Sequence, residues 1–183
     1  MGAPDVIRVL RERGYVRRDE AFQLSSGEWS HDYVDGKRAF AAGADLRAAA
    51  EAIVELAARE GVSFDAAGGL TMGADHLSHA IAVVSGASWF SVRKEAKGHG
   101  RRQRIEGAAL GPGTSVLLLE DVVTTGGSIL QALDAVEETG ARVVLATTLL
   151  DRGEAAAGRL ADRKVPYRPL ATYSDLEILP IGG

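Results

Sequence analysis

The sequence predicts an α/β protein built on a doubly wound, mostly parallel sheet. Three observations carry that prediction. Strand-like and helix-like segments alternate from residue 64 onward. Val116–Leu119 is four consecutive apolar residues, and Val143–Leu150 is nearly as apolar, as strands buried on both faces are. The segments between strands read as helices, and Ile129–Glu138, between the two apolar strands, is closed by Gly140.

In chain order, Val6, Ile7 and Leu10 share a helical face, with Pro4 suited to a first turn and Gly14 to a stop, which predicts a helix over 4–13. Ala21–Leu24 and His31–Val34 are short extended candidates separated by Ser25–Ser30, a hairpin-like pattern. Asp45–Glu60 is rich in Ala and Glu, capped by Asp45 and stopped by Gly61, a helix. Strands follow at Phe64–Gly68, Trp89–Val92, Val116–Leu119 and Val143–Leu150, and a last extended segment at Tyr167–Tyr173. Helices are predicted at Ala74–Val84, Ile129–Glu138 and Glu154–Arg163. Trp29 and Trp89 read as packing residues. The stretch between Val92 and Val116 is over twenty residues with little apolar content, and loops of that length in small domains are usually lids or binding loops.

A chain of 183 residues with 46% hydrophobic and 25% charged residues suits one domain with a real core, so a single domain over 1–183 is expected. No cysteine is present, which excludes disulfides, thiolate metal sites and cysteine nucleophiles. The net charge of −4 argues against a protein built to coat nucleic acid or an anionic membrane. Neither a secretory signal nor a membrane-spanning run is visible, so the cytoplasm is the expected location. Glycine is over-represented, at 22 residues.

The strongest local signal is Val116-Leu-Leu-Leu-Glu-Asp-Val-Val-Thr-Thr-Gly-Gly-Ser128. A buried strand delivers Glu120 and Asp121 to its carboxyl end, where open α/β sheets bind ligands. Thr124, Thr125 and Ser128 offer hydroxyls, Gly126 and Gly127 let backbone amides approach an anion, and the following helix points its positive end there. The acid pair would repel phosphate but accept hydrogen bonds from sugar hydroxyls, so the ligand matching both parts is a phosphate joined to a ribose. The plainer alternative is a capped strand-to-helix turn. Neither a Walker loop nor a dinucleotide fingerprint occurs. Between strands lies a basic run in which Arg93, Lys94, Lys97, Arg101, Arg102 and Arg104 face a single carboxylate, Glu95. For Arg101, Arg102 and Arg104 a solvated face is the simpler reading. Gly68-Gly-Leu-Thr-Met-Gly-Ala-Asp75 is a second glycine turn after a strand, suited to an anion or to tight packing alone. Arg152 is either a bidentate partner for a planar carboxylate or the partner of Asp151. His76 and His79 lack a third firm ligand and read as surface or interface residues, not as a metal site.

The apolar-acid-acid-hydroxyl run resembles the signature of the type I phosphoribosyltransferases, which binds PRPP (5-phosphoribosyl 1-pyrophosphate). Phe22-Gln-Leu-Ser-Ser-Gly27, Tyr33-Val-Asp35, Val92-Arg-Lys-Glu-Ala-Lys-Gly-His-Gly100 and Ile105-Glu-Gly107 narrow the resemblance to the orotate-using members, from about residue 20 to about 153. The resemblance implies the sheet fold of that family with an N-terminal hood (about 1–40) over a core (about 41–175). It implies PRPP binding by Arg93, Lys94, Lys97, His99, Glu120, Asp121, Val122, Val123, Thr124, Thr125, Gly126, Gly127 and Ser128. Lys97, His99 and Asp121 would be catalytic, and Thr124 and Arg152 would hold orotate. It further implies Mg²⁺ carried mainly by PRPP and no metal ligands from the protein. The products would be orotidine 5′-monophosphate and pyrophosphate, on the route to UMP. The partners would be the two substrates and a second copy of the chain, whose site the basic loop reaches. Two alternatives stay open: transfer to another nucleobase, and a non-catalytic PRPP-sensing regulator.

Overall fold

The computed structural model describes residues 3–24, 27–95 and 104–181. Among these, the main sheet has the order β5-β4-β3-β6-β7-β8, formed by β3 (Ala66–Leu70), β4 (Ser88–Val92), β5 (Ile105–Gly107), β6 (Ser115–Val123), β7 (Arg142–Asp151) and β8 (Tyr167–Thr172). Every pairing is parallel except β4–β5. The predicted doubly wound sheet is therefore present. β5 is the addition: three residues inside the basic stretch that pair back on β4 and carry no apolar run to announce them.

Period two explains how one apolar run serves two layers. Leu117 and Leu119 pack with α3 (Gly43–Arg59), α4 (Asp75–Ser85) and the N-terminal helix α1 (Ala3–Val9). Val116 and Leu118 pack on the opposite face with α5 (Gly127–Glu137) and α6 (Ala155–Asp162). Beyond α1 the chain makes a π-helical turn, Leu10–Gly14, and then a separate antiparallel hairpin, β1 (Tyr15–Gln23) with β2 (Trp29–Val34). A short turn of helix, α2 (Gly36–Ala39), leads from the hairpin toward the sheet.

Three expectations need correction. Helix α3 begins two residues before Asp45, after Ala42, so Asp45 is not the cap; it sits in the first turn and takes Arg13 as its ion-pair partner. Trp29 does not pack: it is 69% exposed on the hairpin. His76 is not a surface group, because both ring nitrogens are shut away from solvent with no hydrogen-bond partner among the described residues. His79 does lie at the surface, edge-on to Trp89 at 4.5 Å. No helix among the described residues is long and apolar enough to cross a membrane.

Candidate active site

The carboxyl ends of β6 and β7, the start of α5 and the overhanging hairpin enclose a cavity of about 670 Å³. Its lining joins Glu120 through Ser128, Arg152, and hairpin residues that include Arg18, Phe22 and Tyr33. Strand β6 runs through the core and carries the acid pair near its carboxyl end, with Glu120 5% and Asp121 7% exposed. Asp121 is held from both sides: Oδ1 accepts from Val122 N–H at 2.8 Å, and Oδ2 accepts from Lys37 Nζ at 2.9 Å. The Asp121 carbonyl accepts from Thr148 Oγ1 at 2.9 Å, tying the pair to β7.

Burial, and then the charge of Asp121, push the Glu120 carboxyl from its ordinary 4.5 up to about 8. Burial thus favours the protonated form of Glu120 beside an Asp121 that Lys37 and Val122 N–H hold as an acceptor. Stability follows with a definite sign. The folded form holds a proton that the unfolded chain releases near its ordinary value, so this contribution is present in acid and fades as pH rises through about 8. Glu120→Gln, which cannot ionise, is expected to raise the melting temperature relative to wild type more at pH about 9 than at pH about 5. Thermal denaturation at the two pH values checks this, and an equal difference at both contradicts it.

The hydroxyl loop follows directly. Gly126 has φ +80°, a left-handed conformation natural only to glycine, and an added Cβ would lie 3.1 Å from Ala156 of α6. Helix α5 begins at the next residue, so Thr124–Ser128 sits at its positive end on the wall of the cavity. Gly73, in the β3–α4 turn, presses against the acid pair: an added Cβ would overlap Glu120 Oε1 and lie 3.0 Å from Asp121 Oδ1. That places the second glycine turn at the same centre.

Arg152 enters after β7 and is only 2% exposed. Its backbone N–H donates to Val123 O at 2.8 Å, and its carbonyl accepts from Ile181 N–H at 2.7 Å, which anchors the residue beside the loop. Its side chain reaches Ser30 Oγ at 3.4 Å, and Nε has no partner among the described residues. Burial pulls the guanidinium below its ordinary value, with Asp32 pulling it back. Asp151 does not pair with it: that carboxylate accepts from Gly153 N–H at 3.0 Å and Tyr167 Oη at 2.9 Å. A buried, unspent, planar cation on a cavity wall suits a carboxylate ligand.

The hairpin closes the other side. Phe22 and Tyr33 meet edge to face at 5.7 Å, and the Arg18 guanidinium lies 4.6 Å from the Phe22 ring centre. Asp32 is buried and accepts from Tyr15 Oη at 2.8 Å and Arg17 Nη1 at 2.9 Å, which keeps β1 and β2 in register.

Arg93 and Lys94 are not on the main cavity wall. With Thr71, Met72 and Glu95 they line a neighbouring depression of about 510 Å³. Arg93 pairs with Glu106 at 3.4 Å, and the Lys94 carbonyl accepts from Gln131 Nε2 of α5 at 3.0 Å. Lys97 and His99, with Arg101 and Arg102, fall outside the described residues. Sequence reasoning missed Lys37 and Arg18. Each is one of two adjacent cations, Arg17-Arg18 and Lys37-Arg38, with nothing in the sequence to single it out, and only its place in space marks it.

The Phosphoribosyl transferase domain family matches residues 66–171. The orotate phosphoribosyltransferase of Corynebacterium glutamicum (strain R) is 42% identical over 158 residues, covering 84% of this chain and 83% of that protein. That of Aquifex aeolicus (strain VF5) is 39% identical over 175 residues, covering 92% and 94%. The crystal structure of Mycobacterium tuberculosis H37Rv orotate phosphoribosyltransferase in complex with 5-phospho-alpha-D-ribosyl 1-diphosphate (PRPP) superposes with a TM-score of 0.79 at 32% identity, covering 96% of this chain and 99% of that one.

Proposed function

Because this chain belongs to the orotate phosphoribosyltransferases, enzymes of PRPP-dependent transfer in pyrimidine biosynthesis, we propose that it moves the phosphoribosyl group of PRPP to a ring nitrogen of orotate. The products are orotidine 5′-monophosphate and pyrophosphate. One observation carries the reading: a single cavity brings together an anion-binding loop, an acid pair and a buried, unspent arginine. A 5′-phosphate suits Thr124–Ser128, where hydroxyls, amides and the α5 N-terminus converge. The ribose hydroxyls suit Glu120 and Asp121. The orotate carboxylate suits Arg152, with Thr124 beside it.

No side chain need attack the substrate. The departing pyrophosphate leaves positive charge on the sugar, and the acid pair lies where that charge is steadied by an acceptor. Arg93 and Lys94 line the adjoining depression, at the start of the basic loop. With Lys97 and His99 they neutralise the charge that grows on pyrophosphate. The basic loop acts on the neighbouring site of a homodimer, in the cytoplasm. Mg²⁺, which favours oxygen ligands and retains water, would be carried mainly by PRPP and would supply charge to its diphosphate.

The test is base-dependent pyrophosphate release from Mg²⁺, PRPP and single bases. Turnover with orotate is the expected result. Turnover with adenine or uracil but not orotate assigns another base, and PRPP binding without turnover on any base makes the protein a sensor. Lys97→Ala is expected to lower kcat at least about tenfold, equivalent to about 1.4 kcal/mol of transition-state stabilisation. An unchanged kcat removes the residue from the reaction.

A further inference from the structure

Lys37 has no place in the functions assigned so far, yet it makes the one side-chain ion pair to the acid centre among the described residues. Its position is built, not incidental. Asp35 caps the α2 turn by accepting from Arg38 N–H at 3.0 Å, and Asp35 N–H donates to Gly14 O at 3.0 Å. Gly36 seats the turn against β6: an added Cβ there would lie 3.1 Å from Asp121 Cβ. The result places Lys37 Nζ 2.9 Å from Asp121 Oδ2 on the wall of the cavity.

The effect on Asp121 is geometric. Val122 N–H engages Oδ1 and Lys37 engages Oδ2, so the carboxylate plane has one orientation and each oxygen keeps a free lone pair turned away from its donor. A diol needs acceptors in a fixed plane. A polyphosphate, in turn, is repelled by any acid left uncompensated beside it.

We propose that Lys37 is a positioning residue for PRPP: it pins the Asp121 carboxylate for the ribose hydroxyls and offsets the acid pair's charge as the polyphosphate arrives. The proposal rests on the reading that Glu120 and Asp121 hold the ribose. Several charged groups share the neighbourhood. Glu120 and Asp121 come from β6, Asp35 from the cap of α2, Asp75 and His76 from α4, and Tyr167 from β8. Of these Lys37 is the cation that favours ionised Glu120, so removing it moves the ionisation of the pair to higher pH.

The experiment uses the full chain with Lys37→Met and Lys37→Arg, with Asp121→Asn as reference. Calorimetry measures PRPP affinity without any base, and steady-state kinetics give kcat/KM for PRPP against pH. Lys37→Met is expected to weaken PRPP and lower its kcat/KM about tenfold or more, leave the KM of orotate nearly unchanged, and shift the alkaline limb of the profile upward. Lys37→Arg restores most of both. A loss with an unmoved limb, equal in Lys37→Met and Lys37→Arg, is a structural effect and overturns the assignment. Unchanged PRPP affinity in Lys37→Met beside a weakened Asp121→Asn overturns the assignment alone. Unchanged affinity in both overturns the placement of ribose on the acid pair, and the assignment with it.

Discussion

Arg152→Met is expected to weaken use of orotate severely while making the free protein more stable. Arg152 is almost fully buried, its Nε lacks a partner among the described residues, and its one side-chain hydrogen bond is a long one, 3.4 Å to Ser30 Oγ. Desolvation of a cation so poorly compensated costs the fold free energy, and Asp32 offsets it only from a distance. Methionine has a similar reach and no charge. Its substitution should stabilise by about 1 kcal/mol or more, which raises the melting temperature of a protein this size by about 2–4 °C per kcal/mol. On the role proposed for Arg152, the carboxylate of orotate, by contrast, would lose its charged partner, a loss of about 3 kcal/mol or more. kcat/KM for orotate should therefore fall by about a hundredfold or more. PRPP affinity, on the proposed placement of its phosphate and ribose at Glu120–Ser128, should change little. Equal losses for both substrates, or a lower melting temperature with intact orotate use, would show that Arg152 serves the fold.

Gly69→Ala is expected to remove most of the stability of the fold. Gly69 lies in β3, between β4 and β6, and an added Cβ would overlap the Leu119 carbonyl oxygen and approach Ala74 Cβ to 2.8 Å. Neither obstacle is the free end of a side chain. One is the backbone of the central strand and the other stands at the start of α4. Relief requires parting β3 from β6, with a cost of about 3 kcal/mol or more. Gly158→Ala is the control: it sits within α6, where an added Cβ meets nothing, and it should stabilise by about 0.5–1 kcal/mol. Urea midpoints of the two variants should move in opposite directions. Similar midpoints would mean that the sheet yields where the geometry says it cannot.

Much of the site could be read from single segments. Val116–Ser128 shows its strand, its acid pair and its hydroxyl loop in thirteen consecutive residues, and the structure keeps the acid pair and the loop on one cavity. Arg152 was visible as a lone arginine after a buried strand; its alternative partner, Asp151, proved to be occupied by Gly153 and Tyr167. Trp29 misled because an aromatic residue is apolar on average, whereas its placement on a two-stranded hairpin leaves it without a core. Asp45 misled because a helix start depends on where the preceding chain turns, which a capping preference alone does not report.

Whatever depends on neighbours in the chain was determined by the sequence: the alternation of strands and helices, the two faces of β6, the hydroxyl-glycine loop and the acid pair before it. Tertiary structure alone decided which distant groups meet. It set Lys37 on Asp121 across 84 positions, buried Glu120 deeply enough to push its carboxyl toward the protonated form, and left Arg152 without a carboxylate among the described residues. The reason is physical. Periodicity and turn chemistry act over a few residues, whereas desolvation and ion pairing are set by whatever the folded chain brings within a few ångströms.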